Sequence, residues 1–150
     1  MELLLLADES ERMIRRYLER GELFALYDGD LKTVCVVARE DENTCEIKNI
    51  ATCEKEQGKG YAGSMLRYVV ENYKDKCDTL LLGTGEDAKI IAFYKKFGFV
   101  YSHTVKDFFI DNYDHPMFEN GKQLRDMIYL KVNMQAYEES KNHRAQNDAR

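Results

Sequence analysis

Apolar residues recur along the chain in two periods, and the points where one gives way to the other divide it into elements. Leu3 to Ala7 is a short apolar run of the kind a buried strand shows. Behind it, Asp8 or Ser10 is placed to cap a helix whose Met13, Ile14, Tyr17 and Leu18 share one face, with Gly21 closing it. Glu22 to Asp28 and Leu31 to Arg39 are β-rich, and Asp28-Gly29-Asp30 between them has hairpin-turn chemistry. Thr44 to Cys53 follows as a third strand after the polar turn Glu40 to Asn43, so the first half predicts an antiparallel meander.

The period then lengthens. In Gly60 to Lys76, Ala62, Leu66, Val69 and Tyr73 fall three or four apart, as on the buried stripe of a helix. Asp78 to Gly83 is a short apolar strand of the kind found inside a sheet, and Asp87 to Phe97 a second helix ended by Gly98. Phe99 to Val105 returns to strand, Lys106 to Gly121 is irregular, acidic and aromatic, and Gln123 to Asn133 is the last strand. The predicted order is β-α-β-β-β-α-β-α-β-β, an α/β protein with a mixed sheet flanked by helices. Residues 1–134 would form a single domain, and Gln135 to Arg150, polar throughout, reads as a frayed helix or a disordered tail.

A chain of 150 residues, 44% hydrophobic, suffices for one core. With 22 Lys+Arg against 27 Asp+Glu the net charge is -5, which gives no electrostatic reason to bind nucleic acid. The four cysteines show no Cys-x-x-Cys spacing and no histidines at metal-ligand intervals, so no metal site is expected. Free thiols alternating with apolar residues suit a reducing compartment and so a cytoplasmic location. Leu3 to Leu6 is too short for a signal peptide and lacks its charged start, and no later run is long enough to span a membrane.

Candidate chemistry centres on Gly58-Lys59-Gly60-Tyr61-Ala62-Gly63, which satisfies G-x-G-x-x-G between a strand and a helix. A dinucleotide-binding fold would place the first glycine directly after a parallel strand and an acidic residue at the end of the next one. Here Glu54-Lys55-Glu56-Gln57 intervenes, and Asp78 lies at the start of its strand. An NAD-binding domain is thus a runner-up, and a phosphate-loop kinase is excluded because G-x-x-x-x-G-K-[ST] is missing. Successive N–H groups at a helix start, with no side chain in the way, form a nest for a diphosphate, and Lys59 adds charge.

Gln57 to Ala62 also reads Q-x-x-G-x-A, and Asp87 to Phe99 reads D-x-x-I-x-x-x-Y-x-K-x-G-F. In this order, with a strand between, the two motifs resemble the hallmarks of the GNAT superfamily of acetyl-CoA-dependent N-acetyltransferases. Asp87 stands where asparagine is usual, and Ile90 where alanine is common. The resemblance is close over Thr44 to Val105 and topological elsewhere. Asp107-Phe108-Phe109, Phe118 to Gly121 and Arg125 to Ile128 look like a bacterial subgroup of unassigned substrate.

The resemblance implies the GNAT acyl-CoA N-acyltransferase fold, acetyl-CoA as co-substrate, and direct attack of a primary amine on the thioester. It places acetyl-CoA where the Thr44–Cys53 and Asp78–Gly83 strands splay apart. Backbone of Ile50, Ala51, Thr52 and Cys53 would pair with the pantetheine arm, an Ala51 or Thr52 N–H would polarise the thioester oxygen, and Gln57, Gly58, Lys59, Gly60, Tyr61, Ala62 and Gly63 would hold the phosphates. Asp87 would cap its helix beside the arm. Tyr94 would protonate the departing sulfur, although as Ile90, Tyr94 and Phe97 share a helical face it also reads as a core aromatic. Glu46, eleven residues before Gln57, would be the general base; it equally reads as a solvent-facing strand residue. His103 and His115 match no family position.

The acceptor is expected to be a small-molecule or peptide amine. Asp111 and Asp114 with Phe109, in the acidic aromatic stretch, are candidates to hold a cationic one by charge and cation–π attraction. Aromatic loops of this kind also suit a homodimer contact. A non-catalytic acyl-CoA-binding regulatory module is the alternative from another functional class, and Tyr94 argues against it.

Overall fold

The computed structural model of the chain describes residues 1–6, 8 and 10–148. Ser10 opens helix α1 (Glu11–Leu18), its Oγ accepting the Met13 N–H at 3.2 Å, and Arg15 pairs with Glu11 at 2.7 Å. The apolar run before it is not a strand: Leu4–Leu6 form a 3-10 turn, while Ala7 lies outside the described residues. Leu4 is buried with Ile14 and Tyr17, and its carbonyl accepts from Asn49 Nδ2 at 2.9 Å. The leucines are apolar because they cover the sheet, not because they join it.

Strands β1 (Gly21–Asp28) and β2 (Asp30–Arg39) form the expected hairpin around Gly29, whose φ of +82° a β-turn of this hand requires. β2 is buried from Lys32 to Ala38. Val34 and Val36 face a core layer under α1, while Cys35 and Val37 face a larger one built on helix α2 (Tyr61–Tyr73). β3 (Thr44–Thr52) runs antiparallel to β2, and β4 (Thr79–Thr84) pairs parallel to β3.

Helix α3 (Ala88–Lys95) is followed by Gly98 at φ +94° and by strand β5 (Val100–Val105). The stretch expected to be irregular holds helix α4 (Phe108–Asn112) and a hairpin of β6 (Phe118–Glu119) and β7 (Lys122–Gln123). Asn120 and Gly121 turn that hairpin with φ of +51° and +78°, the left-handed pair such two-residue turns need. Strand β8 (Met127–Asn133) then inserts between β4 and β5, giving one mixed sheet in the order β1-β2-β3-β4-β8-β5.

The chain closes with helix α5 (Met134–Asp148), the helical one of the two readings of the tail. Met134 is buried and Tyr137 packs on the larger core, while the Tyr137 hydroxyl donates to Glu71 at 2.7 Å. Lys141 and Lys74 also pair with Glu71, so polar contacts to α2 supplement a small apolar contact.

Candidate active site

The main cleft starts from one extra residue in β3. The β2–β3 register shifts so that Val37 faces Ile47 while Val36 faces Asn49, which leaves Lys48 as a bulge. Before it, Cys45 and Ile47 pack toward α2. After it, Asn49 and Ala51 turn toward α1, where Asn49 Nδ2 also donates to the Tyr17 hydroxyl at 2.8 Å. Pairing with β4 stops at the same place, its last partners being Ile47 and Leu82. Beyond them the strands part around a cleft of about 470 Å³, bordered by Ile50, Ala51, Thr52, Gln57, Gly83 and Tyr94 among others. Cys53 is turned away: its N–H is bonded to the Lys32 carbonyl at 2.9 Å.

At one end of this cleft, Gln57 leads into the N-terminus of α2 and its Nε2 donates to the Thr52 carbonyl at 3.2 Å. Gly58 and Gly60 have φ of +80° and +88°, and a Cβ at either would meet nothing within 4 Å. Gly60 is the N-cap and offers no capping side chain; the Ser64 N–H is bonded to its carbonyl at 3.0 Å. The N–H groups of Tyr61, Ala62 and Gly63 therefore lack intrahelical acceptors, as the first turn of a helix dictates. Gly63 has a second role, because a Cβ there would stand 2.7 Å from Phe97 Cζ. Lys59 pairs with Glu56 at 2.8 Å, and the buried Lys32 holds Glu56 at 3.0 Å and Asp30 at 2.6 Å. Tyr61 donates to Asp28 at 2.8 Å, which ties the β1–β2 turn to the loop.

Tyr94 enters the cleft from α3. Its ring meets Phe93 and Phe99 edge-on at 5.4 and 6.0 Å, and burial pushes its hydroxyl up to about 12. No hydrogen bond engages that hydroxyl among the described residues. Asp87 caps α3 through Oδ1, which accepts the Lys89 and Ile90 N–H groups at 2.9 and 3.3 Å. Its Oδ2 accepts from Asn120 at 2.9 Å, so the β6–β7 hairpin is fastened to the start of α3. Leu124, just beyond the hairpin, lies so close to Gly85 that a Cβ there would stand 2.5 Å from it.

Glu46 lies outside the main cleft, in a side chamber of about 280 Å³ that shares Asp8, Ile47, Lys48, Gly83, Tyr113 and Met127 with it. The Glu46 carboxylate is buried and paired with Lys48, which also holds Glu40 at 2.9 Å. Burial raises the Glu46 pKa above the ordinary carboxylate range, against the opposing pull of Lys48. The solvent-facing reading of Glu46 is thus excluded.

This geometry has close counterparts. Residues 19–101 match the sequence profile of the acetyltransferase (GNAT) domain. The chain belongs to the GNAT family. An N-acetyltransferase of Bacillus subtilis strain 168, YvbK, named as uncharacterised, is 39% identical over 136 residues, covering 89% of this chain and 88% of that one. A GNAT acetyltransferase from Elizabethkingia anophelis with acetyl-CoA bound is 40% identical, with a TM-score of 0.84 and 88% of each chain covered. A Bacillus subtilis acetyltransferase in complex with CoA is 39% identical, with a TM-score of 0.82, covering 88% of this chain and 89% of that one.

The protein is therefore an acyltransferase with acetyl-CoA as co-substrate, and its uncapped α2 terminus fits the diphosphate of that group. Among the described residues, no group of three His, Cys, Asp or Glu could hold a metal ion, and no helix is long and apolar enough to cross a membrane.

The structure separates the other residues singled out in this GNAT sequence. Phe109 is buried against the main cleft, but Asp111 and Asp114 line neither it nor the side chamber. Helical spacing sends Asp111 outward when Phe109 points in, and Asp114 pairs with His115 at 2.7 Å in solvent. His103 stacks on Tyr129 from β5, with centroids 4.7 Å apart. Asp8, Lys48, Tyr113 and Glu119 also border the cleft: Tyr113 and Glu119 belong to the acidic aromatic stretch, Asp8 was read only as a helix cap, and Lys48, the bulged residue of β3, carried no sequence signal.

Proposed function

We propose that this GNAT enzyme transfers the acetyl group of acetyl-CoA to a primary amine by direct attack within a ternary complex. The supporting observation is that one cleft runs from Gln57, where the chain turns into the open N-terminus of α2, along the unpaired edge of β3 to Tyr94, whose hydroxyl has no hydrogen-bond partner among the described residues. Acetyl-CoA supplies an acetyl group activated as a thioester. Gly58 to Gly63 would hold its phosphates through backbone N–H groups and Lys59. Ile50, Ala51 and Thr52 would pair with the pantetheine arm as an added strand, and an Ala51 or Thr52 N–H would polarise the carbonyl.

An alkyl ammonium has a pKa of about 10.4, so the acceptor must lose a proton before it attacks. Glu46 would take that proton, directly or through water, its raised pKa making it a better base near neutrality than an exposed carboxylate. Tyr94 would give its hydroxyl proton to the departing sulfur, for which a high pKa keeps it protonated. Phe109 would form part of the apolar wall beside the reacting groups. Initial rates measured over a matrix of acetyl-CoA and acceptor concentrations test the order of events. Intersecting reciprocal plots are expected; parallel plots, with an acetyl group found on the protein, would replace direct attack by an acyl-enzyme route.

A further inference from the structure

The side chamber extends from Glu46 to α1, where Met13, Arg16 and Tyr17 at helical spacing, with Arg20 just past the helix end, line its outer end. The arginines of this region differ in their partners. Arg20 Nη2 lies 3.3 Å from Glu40, and Arg15, off this stripe, is paired with Glu11. Arg16 has no carboxylate within ion-pair distance among the described residues; its Nη1 makes only a 3.5 Å contact with Met13 Sδ.

At the inner end the charges of Glu46 and Glu40 are answered by Lys48. Asp8, at the junction with the main cleft, accepts from the Ser10 N–H at 3.1 Å and the Tyr113 and Tyr17 hydroxyls at 2.9 and 3.4 Å. Those donors are neutral, and no cation among the described residues lies within ion-pair distance of Asp8. Among the described residues, one negative group near the reacting end and one positive group at the far end are thus left without opposite charges.

We propose that the acceptor is a small amino acid, with Arg16 binding its carboxylate while the amine lies toward Asp8 and Glu46. The proposal rests on N-acetyl transfer and narrows it. A guanidinium takes a carboxylate through two parallel N–H donors, a geometry a lone ammonium cannot offer. The chamber, at about 280 Å³, suits a single small molecule, and Tyr17, Phe108 and Tyr129 supply walls for the carbon skeleton between the two charges. Arg16 also explains why Asp111 and Asp114 are not needed: recognition comes from α1, across the chamber from α4.

The test compares α- and ω-amino acids, each with the amine left when its carboxylate is replaced by hydrogen. kcat/KM should favour the amino acid by about tenfold or more, the effect of a charge-assisted contact. Arg16→Gln should abolish that gap by raising KM for the amino acid, with acetyl-CoA affinity and Tm unchanged, and Arg16→Lys should restore part of it. A preference for the amine, or a gap that survives Arg16→Gln, overturns the proposal. If neither kind of acceptor is acetylated, turnover gives no readout of the carboxylate contact, and binding is measured instead. Equilibrium dialysis of the same amino acids against CoA-loaded protein then decides: retention lost in Arg16→Gln supports Arg16 as the carboxylate site, and no retention overturns it.

Discussion

Tyr94 is gripped by Phe93 and Phe99, and its hydroxyl has no hydrogen-bond partner among the described residues, so removing only the oxygen keeps the packing and deletes the proton. Tyr94→Phe should lower kcat by about 100-fold with little change in the KM for acetyl-CoA, as loss of a general acid does. Steady-state kinetics check it, and a raised KM at unchanged kcat would make the tyrosine a binding group instead. At Glu46 the sign of the pH effect follows from burial. Its folded-state pKa lies above the ordinary 4.5, so its contribution to stability is full below 4.5 and is lost as pH rises through the raised value. Catalysis runs the other way, since only the ionised carboxylate accepts a proton. The acid limb of kcat/KM should therefore lie above 4.5, and Glu46→Gln should remove that limb and move the optimum upward. An unaltered pH profile in the variant would exclude Glu46 as the base.

At the scale of elements, the start of α2 uses its glycines for two purposes. Gly60 leaves open space at φ +88°, so Gly60→Ala should weaken CoA binding about tenfold or more by calorimetry, by crowding the N–H groups that meet the phosphates. Gly63→Ala should instead cost about 1–3 kcal/mol in denaturant unfolding, because its Cβ meets Phe97. Reversed outcomes would exchange the two roles. α5 is held by Glu71, whose pKa is lowered to about 2 by Lys141, Tyr137 and Lys74. That stabilisation is present above 4.5 and lost as pH falls toward 2, so hydrogen exchange in α5 should accelerate over that window. Glu71→Gln should show fast exchange already at neutral pH; protection equal to that of the unaltered chain would assign the docking to Met134 and Tyr137 alone. The helices α2 and α3 and the β1–β2 turn were legible in the sequence because each has local punctuation: Gly60, Asp87 and Gly29. The bulge at Lys48 was not, since an extra residue shows only against a partner strand. The leucines before α1 misled because a short apolar run looks alike in a strand and in a covering turn. α5 was left open because its docking depends on charges from α2.

For the molecule as a whole, two parts of the candidate site each had a motif in the sequence, and the sheet brings Gln57, at the head of the glycine loop, and Tyr94 to one cleft. Of the acceptor side, the sequence singled out only Glu46 and Phe109. That side is assembled from a turn at Asp8, a stripe on α1, a bulge in β3 and a short helix at Phe109, positions from residue 8 to residue 129 that only the completed sheet gathers. The acidic aromatic stretch pointed toward a cationic acceptor, whereas the chamber presents both signs, because Asp111 and Asp114 lie outside it. The most direct measurement is chromatography with mass detection of free CoA and acetylated product after incubation with acetyl-CoA and a panel of amines. Equimolar CoA and N-acetylated amine, both sharply reduced in Tyr94→Phe, is the predicted result. CoA released with no acetylated amine, or no CoA released with any amine while acetyl-CoA binds, would contradict transfer to an amine.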